Sequence, residues 1–87
     1  MKDAKILLIE GRHTEVPSFA PELQKKGFEV VLAQSGGEAA KRLDKIAPHL
    51  AVVNAASLRS SGVRICQSLR EKDSKLPVIL IVAADME

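Results

Sequence analysis

The chain has 87 residues and a formal net charge of +2; 46% of the residues are hydrophobic and 28% charged. This is one small globular domain, residues 1–87, too apolar for a disordered chain. Aromatic content of 2% and dispersed basic residues speak against a nucleic-acid reader or an anionic-membrane binder, no apolar run could span a bilayer, and the single cysteine, Cys66, excludes an internal disulfide.

The opening segment lacks the hydrophobic region and cleavage site of a secretory signal, so a cytoplasmic location is expected. "AKILLIE" (residues 4–10) is a near-continuous aliphatic run, the pattern of a parallel strand covered on both faces. A helical segment follows and reaches "ELQKKG", with Gly27 placed as its stop. Pro17 is tolerable in a first turn headed by Thr14. Pro21 would lose its bond to the Pro17 carbonyl and crowd it, so the helix is expected to begin near Ser18 or to kink.

"FEVVLA" (residues 28–33) predicts a second strand, and "SGGE" a capping box with Ser35 as N-cap and Glu38 three residues on. The helix it opens carries Ala39, Ala40, Leu43, Ile46 and Ala47 on one side and ends at Pro48. "LAVVN" predicts a third strand, "GVRICQSLREK" a third helix with Val63, Cys66 and Leu69 or Arg70 at helical spacing, and "LPVILIVA" a fourth strand. This alternation implies right-handed crossovers and a parallel sheet with helices on both faces.

The order of motifs resembles the receiver domain of bacterial two-component response regulators over essentially the whole chain. "KILLIEGR" is similar to its first strand and acidic pair, "GFEVVLAQSGGEAAKRL" to its second strand and helix, and "APHLAVVN" to the strand ending in the phospho-accepting aspartate. "SGVRICQSLRE" is similar to the third helix and "LPVILIVAAD" to the fourth strand with its switch hydroxyl; Gly62 stands eight positions beyond Asn54, as the family spaces them. The resemblance implies a flavodoxin-like α/β three-layer sandwich with parallel strand order 2-1-3-4. Against the full receiver, the last strand and last two helices have no counterpart in the 87 residues, and the domain is expected to be incomplete at its C-terminus.

The chemistry implied by the resemblance is phosphoryl transfer from a kinase histidine to an aspartate, assisted by magnesium held on neighbouring carboxylates. Carried over residue by residue, it fails. The phospho-acceptor position is Asn54, the acidic pair is Glu10 and Gly11, the switch hydroxyl is Val82, and the proline four residues after the acceptor is Leu58. The lysine of the fifth strand has no counterpart. One anionic ligand remains where magnesium would sit, so no cofactor and no metal are expected.

Other residues read more plainly. Cys66 is expected to pack on the buried side of its helix, and His13 and His49 lack companions at metal-ligand spacing. Arg12, Arg59 and Arg64 read as scattered surface charge, and no dinucleotide-type G-x-G-x-x-G follows the first strand. The expectation is a non-enzymatic, non-phosphorylatable pseudo-receiver in a bacterial phosphorelay, acting by protein–protein interaction or as a homo-oligomer, without nucleic-acid or membrane contact by this chain. Two alternatives stay open: a domain sensing a small anionic ligand or nucleotide near residues 10–12 and 54–59, and the N-terminal part of a longer response regulator controlling an effector domain.

Overall fold

The computed structural model describes residues 4–11, 17–58 and 61–82. Strand β1 (Lys5–Ile9) is followed by helix α1 (Ala20–Lys25), β2 (Glu29–Ala33), α2 (Gly36–Ile46) and β3 (Leu50–Asn54). A 3-10 turn (Ala55–Ser57), α3 (Gly62–Lys72) and β4 (Val78–Ile81) complete the described elements. The four strands form one parallel sheet in the order β2-β1-β3-β4, the flavodoxin-like order that the resemblance implies. Among the described residues no helix is long and apolar enough to cross a membrane.

β1 and β3 are central and, past their first residue, buried throughout, whereas β2 and β4 are edges with only Ala33 buried among their residues. A strand covered on both faces needs apolar residues nearly throughout, as in β1 and β3; β2 begins with the exposed Glu29, but β4, VILI, is wholly apolar although it is an edge. Alternation within β1 separates two cores. Leu7 and Ile9 join Ala51, Val53, Leu43, Ile65 and Leu69 under α2 and α3. Ile6 and Leu8 join Val52 and Ala20 on the α1 side.

α1 does begin late. Phe19 precedes it without a side-chain cap, and Pro21 stands in its first turn, where a helix needs no intrahelical N–H. Gly27 stops it with φ of 98°, its N–H reaching Gln24 O. At α2, Ser35 Oγ accepts the Glu38 N–H at 3.1 Å. The Glu38 carboxylate reaches the N–H of Gln34 at 3.4 Å instead of that of Ser35, so the capping box is shifted by one residue. Ala47, left-handed at φ of 48°, closes α2 before Pro48 through its N–H to Leu43 O.

α3 departs from the expected stripe. Ser61 caps it by accepting the Arg64 N–H at 3.3 Å, and the buried residues are Gly62, Ile65 and Leu69. Val63 is 56% exposed and Cys66 only half-buried. The helix is rotated because Gly62 lies against the sheet: a Cβ there would stand 2.6 Å from Leu80 Cδ1 and 2.7 Å from Ala55 Cβ. Cys66 therefore packs at the margin of the core beside Val63 and Leu80, above a shallow surface cavity.

Candidate functional site

The parallel register sets Ile9 beside Val53, and the next residues, Glu10 and Asn54, emerge together at the carboxyl ends of the two central strands. Such strand ends are where open α/β sheets hold their ligands. Both side chains are buried: Glu10 is 8% exposed and Asn54 0%.

A buried carboxylate needs donors around it, and Glu10 has three. Its Oε1 accepts the Ser18 hydroxyl at 2.6 Å. Its Oε2 accepts the Phe19 N–H and Asn54 Nδ2–H, each at 3.0 Å. Ser18 Oγ in turn accepts the Ala20 N–H at 3.0 Å. Glu10 thus ties β1, β3 and the first turn of α1 into one polar network. Asn54 serves it as a donor, which an ionised aspartate could not do. Asn54 Oδ1 is buried and has no hydrogen-bond partner among the described residues.

The other face of the crevice is filled by the turn after β3. Gly11 donates its N–H to Ser57 Oγ at 3.0 Å, and Ser57 donates its hydroxyl to the Asn54 carbonyl at 2.7 Å. A Cβ at Gly11 would stand 1.9 Å from the Ser57 carbonyl oxygen. Glycine is therefore required here by the close approach of backbone and not by its own φ. Ser57 did not stand out in the sequence; its one signal is a hydroxyl three residues after the strand end, the spacing of a local turn bond.

Val82 follows Ile81, the β4 residue in register with Asn54, and is 50% exposed; its aliphatic side chain has nothing to donate. Leu58 packs against the larger core. The sequence positions Glu10, Gly11 and Asn54 are thus brought together, and Val82 lies just past the end of the strand beside β3. Arg12, His13 and Arg59 lie outside the described residues. Arg64 lines a groove with Ser35, Gly36, Gly37 and Ser61 at the start of α2 and α3. His49 Nδ1 accepts the Lys5 N–H at 2.9 Å, a structural bond between strand ends.

The fold implies a divalent cation at this crevice, and the residues present do not fit one. A hard cation takes several oxygen ligands. Here both Glu10 oxygens already accept hydrogen bonds, position 11 offers no side chain, and position 54 offers a neutral amide. Among the described residues no cluster of three metal-ligating side chains exists.

No family model matches the chain. It is 28% identical over 83 residues, 95% of its length, to the alkaline phosphatase synthesis transcriptional regulatory protein PhoP of Bacillus subtilis. It is also 28% identical over 81 residues to the response regulator MprA of Mycolicibacterium vanbaalenii. The chain spans 35% of the length of each. Among solved structures, the signal receiver domain of a modulated diguanylate cyclase from Desulfovibrio desulfuricans superposes with a TM-score of 0.77 over 94% of this chain and 66% of that one, at 21% identity. Sequence similarity along nearly the whole chain and the same sheet order make it a homologue of bacterial response regulators with the receiver-domain fold.

Proposed function

We propose that this receiver domain does not accept a phosphoryl group and acts in its signalling pathway through protein contacts. One observation carries the reading: at the acceptor position, Asn54 uses its amide as a buried donor to Glu10. Phosphoryl transfer to a receiver needs an anionic oxygen as nucleophile and positive charge to neutralise the transferring group. The amide nitrogen of Asn54 is delocalised into its carbonyl, and its oxygen is neutral. Val82 offers no hydroxyl to follow a phosphoryl group.

The contact role is supported by surfaces away from the crevice. On the α1 side of the sheet, an apolar cavity of about 390 Å³ is lined by Ile6, Phe19, Leu23, Leu50, Ile79 and Ile81. Ile79 on the β4 edge is 49% exposed. Apolar surface of this kind is one that further polypeptide covers, of this protein or of a partner.

The test is intact-mass spectrometry after incubation with a small phosphodonor and Mg²⁺. No phosphoryl adduct is expected, while a receiver with aspartate at the equivalent position takes one up in the same buffer. A phosphoryl group on the wild-type chain ends the reading.

A further inference from the structure

We infer that Gly11 and Ser57 form a latch that closes the crevice between β1 and β3, and that this closure excludes a divalent cation whether or not position 54 carries an anion. The inference rests on the reading above for the place of the crevice and adds a second, separate obstacle there. The first obstacle is missing charge at residue 54. The second is missing space at residue 11.

Ser57 acts on both partners. Its Oγ accepts from Gly11 N–H at 3.0 Å and donates to Asn54 O at 2.7 Å, so one hydroxyl sews the turn after β3 to the ends of both central strands. The turn is held from the other side as well: Leu58 donates its N–H to Ala55 O at 3.1 Å and packs its partly buried side chain against the core. With the Ser57 carbonyl 1.9 Å from where a Cβ at residue 11 would lie, no carboxylate can enter at that position without unwinding the turn. Glu10 compensates little. Its Oε2 already accepts two hydrogen bonds and its Oε1 one, so it could turn one free lone pair to a cation without releasing Ser18, Phe19 or Asn54.

The latch is tested by hydrogen exchange of the Gly11 amide, read by NMR in the wild type and in Ser57→Ala. The wild-type Gly11 N–H is expected to be protected and to exchange about tenfold faster in the variant, the scale of one ordinary hydrogen bond. The Leu7–Ile9 amides, held in the sheet, keep their rates. In parallel, Asn54→Asp is titrated with Mg²⁺ and is expected to show no saturable shift. Wild-type Gly11 exchanging as fast as in Ser57→Ala, or saturable Mg²⁺ binding by folded Asn54→Asp, overturns the latch. If Asn54→Asp does not fold, the Gly11 amide decides alone. A phosphoryl adduct on the wild type defeats the earlier reading, whereas a fast Gly11 amide in a chain that takes no phosphoryl group defeats only the latch.

Discussion

Asn54 Nδ2 lies 3.0 Å from Glu10 Oε2, with both residues buried at the ends of adjacent parallel strands. In a receiver with aspartate at this place the same two positions would hold two carboxylates, which repel one another when both are ionised. Here a hydrogen bond joins the two side chains. Replacing a like-charge pair by a donor and an acceptor removes the electrostatic reason to bind metal and also makes the strand ends more stable without it.

Asn54→Asp is therefore expected to destabilise the domain at neutral pH, by about 2 kcal/mol for the lost charge-assisted bond and the new repulsion. The introduced carboxyl, buried beside an anion, is held above its unfolded pKa. The folded state then binds more protons than the unfolded one between those two values, so stability falls as pH rises through that window and is regained toward acid. Urea denaturation of variant and wild type at pH 4.5 and pH 7.5 reads this directly. The deficit should be clearly larger at the higher pH; an equal deficit at both would contradict the pairing.

Removing the other partner exposes the rest of the network. Glu10→Ala leaves the Asn54 amide, the Phe19 N–H and the Ser18 hydroxyl without their acceptor, at an expected cost of about 3 kcal/mol. Combined with Asn54→Ala in a double-mutant cycle, the pair should show a coupling of about 1.5–3 kcal/mol. A coupling near zero would mean that the two side chains do not stabilise one another.

Two glycines provide a matched comparison. Gly11→Ala places a methyl into the Ser57 carbonyl, whereas at Gly37, in the first turn of α2, the nearest atom to an added Cβ is Ser35 Oγ at 3.9 Å. Gly11→Ala should lose about 1–3 kcal/mol, the scale of overpacking. Gly37→Ala should be neutral or gain a few tenths of a kcal/mol from helix propensity. Thermal melts of the two variants side by side suffice, and equal melting temperatures would show that the turn yields freely.

Much of this fold was legible because its signals are local. Aliphatic runs marked β1 and β3, Gly27 and Pro48 marked helix ends, and Pro21 shortened α1 as its missing N–H requires. The strand order, by contrast, came through the resemblance. The rest was hidden where a contact joins distant residues or where packing decides between two periodic readings. Ser57 and Gly11 are 46 positions apart, and nothing near either announces the other. On α3, counting only apolar side chains favoured Val63 and Cys66; the buried stripe instead starts at Gly62, which has no side chain to count and packs closely for that reason. At Asn54 the residue type showed what chemistry was missing, but only the side chain's direction showed its use as a donor.

Cys66 offers a probe of the open α3 face. It lies among Val63, Gln67, Arg70, Glu71 and Leu80, and burial pushes its thiol above the ordinary value. Since the thiolate is the reactive form, alkylation should be slower at pH 7.5 than that of a small model thiol and should accelerate as pH rises past the ordinary thiol pKa. Because the thiol sits at the margin of the core, alkylation should leave the melting temperature nearly unchanged; a residue in the place of Ile65 or Leu69 could not be modified without unfolding. Mass spectrometry of the alkylation time course across pH 7–9.5, followed by a melt of the product, checks both halves. Modification only under denaturing conditions would put Cys66 back on the buried stripe and the helix in its other rotation. Once labelled, the same residue reports on contact: if a protein partner covers this face, its addition should slow alkylation at fixed pH without altering the pH profile.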